Sequence, residues 1–281
     1  MRALIFGGGG MLGRAVVAAA RRRGLPALAL DHTQADVTDR DRLLYWVDAF
    51  RPDLIVNCAA YTRVDACEGD PDRAMAVNGR AVAHVAVAAG RAGARLIQVS
   101  TDYVFDGEAA SPYDEAAPTA PLSIYGRSKL AGEREALAYA RSLVVRTSWL
   151  FGPGGTNFVA TLVRAMAGGE RRLRVVDDQT GCPTYAPFLA GALWELAAAG
   201  GLGVVHYRNR EPVTWFGFAR ELVRQWDGGV EVEPTTTADF PRPARRPGYS
   251  VLAVDRFEAI TGRRVEPWDL GLMEYLATLR R

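Results

Sequence analysis

The sequence predicts an α/β protein built on a doubly wound parallel sheet, with a smaller C-terminal lobe partly interleaved with that sheet. Through the first half of the chain, short apolar runs alternate with stretches of helical periodicity. A glycine-rich turn separates the first apolar run from the first helical stretch. After about residue 150 the alternation loosens, which indicates a change of architecture.

The apolar runs of the first half are short enough to be buried parallel strands. The predicted strands are Arg2–Phe6, Ala27–Asp31, Leu54–Asn57, Arg95–Ser100 and Leu143–Thr147. Between them we expect helices over Met11–Arg23, from an N-cap at Thr38 to about Phe50, over Ala74–Ala92 and over Ile124–Tyr139. Gly24 is well placed to end the first of these helices.

The second half carries weaker signals. Short strands are predicted at Leu173–Val176 and Gly203–Tyr207, and helices near 156–168, 186–199 and 214–227, with a last helix over Trp268–Leu279. Residues 106–122 and 234–247 are rich in turn-forming residues, and we expect both segments to be irregular.

Composition excludes several classes of protein. The chain has 281 residues, 49% of them hydrophobic and 23% charged, and its formal net charge is +2. So small a charge argues against a nucleic-acid partner. No apolar run reaches membrane-spanning length, and the first one leads into glycines instead of resembling a signal peptide. We therefore expect a cytoplasmic protein with no membrane partner.

Metal chemistry is not predicted either. The three cysteines have no zinc-binding spacing, and the three histidines lie far apart in the sequence.

The turn after the first strand has the glycine spacing of a dinucleotide site. Gly7, Gly10 and Gly13 let the backbone turn sharply and let a pyrophosphate approach the exposed N–H groups of the next helix. Asp31, at the end of the second strand, is predicted to accept hydrogen bonds from the adenosine ribose, although an exposed strand-end acid is the alternative. Asp36 either contacts adenine or caps the next helix.

Tyr125 and Lys129 are four residues apart on a predicted helix, so both side chains face one way. Lys129 is the only lysine, although the chain has 34 basic residues. A nearby ammonium is expected to lower the pKa of a phenol toward working pH, as general acid–base catalysis requires. Ser100 and Thr101 end the fourth strand, where a hydroxyl would complete a triad, or would simply cap a turn.

Together these residues resemble the extended short-chain dehydrogenase/reductase family, whose nucleotide-binding fold is of the Rossmann type. Within it the chain looks like the nucleotide-sugar reductases that complete dTDP-L-rhamnose synthesis for cell-surface polysaccharides. The resemblance covers nearly the whole chain and lies in the segments Gly7–Gly13, Asn57–Thr62 with Val64, Asp65 and Glu68, Ser100–Gly107, Tyr125–Glu133, Arg146–Trp149, Asn157–Phe158, Asp178–Thr184 and Arg246–Ser250.

The resemblance implies that NADPH or NADH donates a hydride to C4 of dTDP-4-dehydro-L-rhamnose. Tyr125 would protonate the C4 oxygen, Lys129 would assist it and hold the nicotinamide ribose, and Thr101 would orient the carbonyl. Residues 1–150 would then be the dinucleotide-binding domain, and residues 151–281 mainly the substrate-binding lobe.

The implied cofactor contacts are Gly7, Gly10, Met11, Leu12, Gly13, Asp31, Asp36, Val37, Ala59, Ala60, Tyr61, Tyr125 and Lys129. The implied substrate contacts are Thr62, Val64, Thr101, Asp102 and Trp149, with Arg246 for the diphosphate. Family members often form dimers with Mg²⁺ at the contact. Here only Asp269 and Glu274 are candidate ligands, so a homodimer is a weaker expectation and Mg²⁺ is not supported.

Two other functions fit the same motifs. Nucleotide-sugar dehydratases or epimerases of this superfamily are similar, but the dehydratases carry Asp-Glu after the threonine, whereas Tyr103 follows Asp102 here. A non-catalytic subunit that resembles the β subunit of methionine adenosyltransferase is the other alternative, and the intact Thr101, Tyr125 and Lys129 argue against it.

Overall fold

The computed structural model describes residues 1–226 and 228–280. The strands are β1 (Ala3–Phe6), β2 (Ala27–Leu30), β3 (Leu54–Asn57), β4 (Arg95–Thr101), β5 (Ser142–Thr147), β6 (Leu150–Phe151), β7 (Arg172–Val176), β8 (Thr180–Gly181), β9 (Thr184–Tyr185), β10 (Gly203–His206), β11 (Val213–Thr214) and β12 (Glu231–Thr235). The helices are α1 (Met11–Arg22), α2 (Arg40–Phe50), α3 (Val64–Gly69), α4 (Pro71–Ala74), α5 (Ala81–Ala92), α6 (Ile124–Leu137), α7 (Phe158–Ala167), α8 (Ala186–Ala198), α9 (Trp215–Trp226), α10 (Asp255–Thr261) and α11 (Trp268–Leu279).

Six parallel strands form the central sheet in the order β10-β5-β4-β3-β1-β2. The chain moves outward from β1 to β2 and then crosses back to β3, so the strand order reverses beside β1. In sheets of this kind, ligands bind at the carboxyl ends of the strands next to such a reversal. The predicted α/β class and doubly wound parallel sheet are confirmed.

Both faces of the sheet are covered. On one face α1 and α8 pack over the strands through buried residues such as Val16 and Leu193. On the other face α2 and α5 do the same through Leu43 and Val85. Burial on both faces explains why the strands read as continuous apolar runs.

The second half of the chain enters this sheet. β10 pairs with β5 at the edge, which makes the two halves interleaved as predicted. Helices α7, α9 and α11 pack around a separate apolar cluster that includes Phe151, Phe218 and Trp268. Which half binds cofactor and which binds substrate stays a prediction. Within residues 1–226 and 228–280, no helix is long and apolar enough to cross a membrane.

Two predicted helix features are wrong. Asp39, not Thr38, is the N-cap of α2, because its carboxylate accepts a hydrogen bond from the Arg42 N–H at 3.0 Å while Thr38 donates to Asp36. The helix predicted over Ala74–Ala92 is interrupted by a π-helical turn over Met75–Arg80.

The buried amide of Asn78 lies in this π-helical turn and bonds the main chain of Tyr61 and the hydroxyl of Ser128. Turns of this kind often occur at functional sites, and hydrophobic periodicity does not reveal them. Residues 234–247 also begin within a strand, β12, so the segment predicted to be irregular is partly regular.

Candidate active site

A cavity of about 740 Å³ opens at the carboxyl ends of β1, β3, β4 and β5. It brings together motifs that lie far apart in the sequence. The residues that line it are Gly10, Met11, Leu12, Gly13, Cys58, Ala60, Thr62, Arg63, Val99, Ser100, Thr101, Asp102, Tyr125, Lys129, Thr147, Ser148, Trp149, Leu150, Gly155 and Thr156. Eleven of the predicted site residues are among them, and seven others line the two further cavities described below. Val64 lines none of the three and lies at the start of α3.

The glycine-rich turn forms one wall of this cavity. Gly7 has φ +73°, and a Cβ there would lie 2.6 Å from the Ala59 nitrogen. A Cβ on Gly13 would overlap the Gly7 carbonyl oxygen. The turn therefore requires glycine at both positions. Among the described residues, no side chain caps the start of α1, and its first turn holds no acidic residue. This cradle fits the pyrophosphate of a dinucleotide.

A second cavity of about 550 Å³ continues from the glycine turn past the end of β2. It is lined by Gly7, Gly9, Gly10, Arg14, Asp31, His32, Ala35, Asp36, Val37, Cys58, Ala59, Ala60, Tyr61, Arg73 and Val77. The predicted adenosine contacts at Asp31, Asp36, Val37 and Ala59 to Tyr61 thus lie around one space. Sequence reasoning missed Arg14 and Arg73.

The carboxylates of Asp31 and Asp36 in this second cavity accept hydrogen bonds from nearby residues of their own loop. The Asp31 carboxylate accepts hydrogen bonds from the Thr33 N–H at 2.9 Å and hydroxyl at 2.6 Å, which lower its pKa. The Asp36 carboxylate accepts from the N–H and hydroxyl of Thr38. The same cavity therefore carries two acids that repel a 2′-phosphate and two arginines, Arg14 and Arg73, that attract one.

Helix α6 positions Tyr125 and Lys129. The Ser123 hydroxyl accepts a hydrogen bond from the Gly126 N–H and fixes the first turn. A Cβ on Gly126 would overlap the Tyr103 carbonyl, so glycine lets α6 approach the turn after β4. Both functional side chains then face the cavity, one helical turn apart.

The pKa of Tyr125 shifts in the direction opposite to the one expected. Burial raises the pKa of Tyr125, and Asp102 adds to this rise while the Thr101 hydroxyl opposes it. The predicted lowering of the Tyr125 pKa is therefore wrong in this structure. The Lys129 ammonium is buried and donates to the Val99 carbonyl at 2.6 Å. Burial lowers the pKa of Lys129 to about 8.

The structure separates the roles of the two hydroxyls that end β4. The Ser100 hydroxyl donates to Glu133 Oε1 at 2.5 Å, behind the site. The Thr101 hydroxyl donates to Asp102 Oδ1 at 2.9 Å, on the cavity wall. Of the two, Thr101 is thus the better placed to meet a substrate carbonyl.

Asp102 is a buried carboxyl on the cavity wall, only 1% exposed. Its Oδ2 atom has no hydrogen-bond partner within the described parts of the chain. Burial raises the pKa of Asp102 to about 7, against the lowering effect of the neighbouring Ser250 and Thr101 hydroxyls. An unpaired buried oxygen is costly, so Asp102 is suited to hydrogen-bond a sugar hydroxyl.

Trp149 closes the far side of the cavity. Its φ is +44°, a left-handed conformation that is uncommon for a bulky residue and strained. Its indole stacks on that of Trp215, with ring centroids 3.6 Å apart and planes within 7°. Gly181 leaves room for this indole, because a Cβ there would lie 2.5 Å from Trp149 Cε2.

A third cavity, of about 650 Å³, lies behind this tryptophan stack. It is lined by Phe158, Thr161, Leu162, Arg174, Val175, Val176, Gln179, Trp215, Thr237, Phe240, Pro241, Arg242, Pro243, Ala244, Arg245 and Arg246. Arg246 also pairs with Asp65 of α3 at 2.9 Å and 3.0 Å. Of these residues, only Arg246 was predicted to contact substrate, although Phe158 and Gln179 lie in segments that carry the family resemblance. For the other residues of 234–247, the arginines and prolines of that segment were the available signal.

A metal site is not apparent in the described parts of the chain. Within residues 1–226 and 228–280, no three or more His, Cys, Asp or Glu side chains are grouped to hold a metal ion. Asp269 and Glu274, the candidate Mg²⁺ ligands, are both exposed on α11.

Comparisons with known proteins match the whole chain, or nearly all of it. The family model described as the RmlD substrate binding domain matches residues 1–281. A dTDP-4-dehydrorhamnose reductase of Mycobacterium tuberculosis is 45% identical over 98% of this chain and 92% of that relative.

Two solved structures carry the same name. The reductase of Clostridium acetobutylicum has a TM-score of 0.96 and 36% identity and covers 100% of both chains. That of Bacillus anthracis, solved in complex with NADP, has a TM-score of 0.95 and 34% identity over 99% of both chains.

Proposed function

The chain belongs to the family described as the RmlD substrate binding domain, and on that premise we propose that it reduces the C4 ketone of dTDP-4-dehydro-L-rhamnose to give dTDP-L-rhamnose. The observation that carries this proposal is the convergence of Thr101, Tyr125 and Lys129 on one cavity with the glycine cradle. A proton donor beside a dinucleotide site is the arrangement that ketone reduction requires.

The residues present fit a nicotinamide dinucleotide. Gly7, Gly10 and Gly13 with the start of α1 would hold the pyrophosphate, and Lys129 would hold the nicotinamide ribose. When bound, NADPH or NADH supplies the hydride that the C4 carbon receives.

Tyr125 is the proposed proton donor to the C4 oxygen. Burial raises its pKa, so the phenol stays protonated at neutral pH, which is the form a donor needs. As the proton leaves, the charged Lys129 stabilises the phenolate that forms. Thr101 lies on the same wall and orients the carbonyl, and Asp102 meets a hydroxyl of the sugar.

The nucleotide part of the substrate is assigned to the third cavity. The Trp149–Trp215 stack separates it from the reaction cavity, so a nucleotide sugar that passes this stack reaches both spaces. Phe158 and Trp215 offer aromatic surface to a base, and Arg246 and Arg174 offer forked donors to a diphosphate.

A purified-chain assay tests this function. We expect oxidation of NADPH or NADH with dTDP-4-dehydro-L-rhamnose, and dTDP-L-rhamnose as the product identified by NMR. Reduction of a different dTDP-4-keto sugar instead would overturn the substrate assignment. Loss of water or epimerisation without net cofactor oxidation would favour the dehydratase or epimerase alternative, and binding without turnover would favour the non-catalytic subunit.

We propose the cytoplasm as the place of this reaction, which suits a chain whose Cys58, Cys67 and Cys182 are all unpaired. A homodimer stays a prediction that sedimentation of the purified chain would test.

A further inference from the structure

Helix α6 holds the end of β4 at two successive residues. Lys129 donates to the Val99 carbonyl at 2.6 Å, and Glu133 accepts from the Ser100 hydroxyl at 2.5 Å. Lys129 and Glu133 are one helical turn apart on the same face of α6, and both are buried. The next residue of β4 is Thr101, which lines the reaction cavity.

Glu133 also forms a buried ion pair with Arg146 of β5. The Arg146 Nε donates to Oε1 at 2.9 Å and Nη2 donates to Oε2 at 2.7 Å. Arg146 is further packed over the Phe105 ring at 5.1 Å and faces His206 Nε2 at 3.4 Å. A buried ion pair is weak evidence for stability, because apolar residues of similar volume often serve as well. Its position beside Lys129 points to another use.

We propose that Glu133 is a positioning residue for the reductase reaction: it keeps the Lys129 ammonium charged and anchors the end of β4 that carries Thr101. This inference rests on the proposed function, since it assigns Glu133 a part in the same site. Glu133 acts through Lys129 and Ser100, because it does not line the reaction cavity.

The charges around Lys129 support this role. The titratable groups whose charge acts on Lys129 are Glu133 of α6 and Cys58 after β3. Tyr125 and Asp102 line the same cavity, and Arg146 of β5 is paired with Glu133. Burial raises the pKa of the Cys58 thiol to about 12, so the thiol is neutral at working pH. Burial likewise raises the pKa of Asp102 to about 7.

Glu133 is then the main fixed negative charge in this group. Its charge raises the pKa of Lys129, whereas burial lowers it to about 8. Without Glu133, burial would act on the Lys129 pKa without this opposing charge, so a larger share of the amine would be neutral at a given pH.

The sequence offers a direct measurement of this effect. Lys129 is the only lysine, so tag-free protein made with ¹³C-labelled lysine gives a single lysine side-chain NMR signal. Its titration reports the pKa of Lys129 without any substrate. We expect a wild-type midpoint well below the value of about 10.4 for a free lysine.

Two substitutions at residue 133 should separate the effect of charge from that of packing. Glu133→Gln should lower the midpoint by about one pH unit or more, because it removes the negative charge that opposes burial, whereas Glu133→Asp keeps a carboxylate and should stay near the wild-type midpoint. The alkaline limb of the pH–rate profile should move with it. A one-unit fall from about 8 would reduce the activity of Glu133→Gln at pH 8 about eleven-fold relative to its acidic plateau, against about two-fold for the wild type. Aspartate is shorter than glutamine, so a loss of packing would affect Glu133→Asp more, whereas the loss of charge affects only Glu133→Gln.

Glu135→Gln is the matched control, because Glu135 is exposed on the same helix and should leave midpoint and profile unchanged. A folded Glu133→Gln protein with an unmoved lysine midpoint overturns the proposal. If that variant does not fold, a folded Glu133→Asp protein whose lysine midpoint lies a unit or more below the wild-type value overturns it, because the carboxylate charge is retained there; a wild-type midpoint of an ordinary lysine overturns it as well. An inactive wild-type protein with the expected titrations would instead count against the proposed function.

Discussion

Gly181→Ala should displace Trp149 and reduce catalysis although residue 181 bears no functional group. The new Cβ would lie 2.5 Å from Trp149 Cε2 and 2.8 Å from Nε1. Because carbon atoms pack at about 3.5 Å, the indole must move by about 1 Å. The backbone of Trp149 is already strained, and the stack on Trp215 helps to hold it, so the shift is not readily absorbed.

A displacement of this size at a positioning residue can cost about 100-fold in rate. We therefore expect kcat/KM to fall about 100-fold, equivalent to about 2.7 kcal/mol of transition-state stabilisation. The assay is steady-state oxidation of NADPH with dTDP-4-dehydro-L-rhamnose. Circular dichroism should show a weaker exciton signal from the Trp149–Trp215 pair, and cofactor affinity should stay near that of the wild type.

Gly248→Ala provides the control. Its Cβ would meet nothing nearer than 3.8 Å, although the Gly248 carbonyl accepts a hydrogen bond from Thr180, next to Gly181. We expect it to retain activity and the exciton signal. The reasoning would be refuted by a Gly181→Ala protein that folds and keeps wild-type kcat/KM, or by one that loses activity while the indole signal is unchanged.

Three further predictions concern the cofactor and the proton donor. Tyr125→Phe should lower kcat by roughly 10²–10⁴-fold while cofactor affinity, measured by fluorescence titration, is retained; near-wild-type kcat would remove Tyr125 as the donor. Lys129→Arg should lose most activity in a protein that folds by circular dichroism, because a guanidinium is too bulky for the buried position that bonds Val99. Near-native kcat with an unshifted pH–rate profile would contradict the assignment. Asp31 should disfavour a 2′-phosphate, so NADH should serve at least as well as NADPH and Asp31→Ala should raise kcat/KM for NADPH; a strong NADPH preference unchanged in the variant would refute this role.

Much of the fold is encoded locally and was predicted. The five strands of the first half were found because parallel strands buried on both faces are continuous apolar runs. The glycine turn and the Tyr125–Lys129 pair were also predicted from local sequence. A tight turn and a helical repeat place their residues by short-range geometry, whatever the rest of the chain does.

The remaining features depend on contacts between distant segments. The Trp149–Trp215 stack, the Arg246–Asp65 pair and the place of β10 in the sheet join residues that no local pattern connects. The π-helical turn over Met75–Arg80 was not predicted either, because its apolar residues would fit an ordinary helix equally well.

The electrostatics of the site show most clearly the difference between what local sequence determines and what contacts between distant segments determine. The spacing of Tyr125 and Lys129 was determined by the sequence, but the direction of the Tyr125 pKa shift was not. That direction depends on burial and on charges brought in by other elements, as does the effect of Glu133 on Lys129. The sequence by itself determined which groups share a helix face, and only the tertiary structure decided how far water was excluded from them and which charges remained beside them.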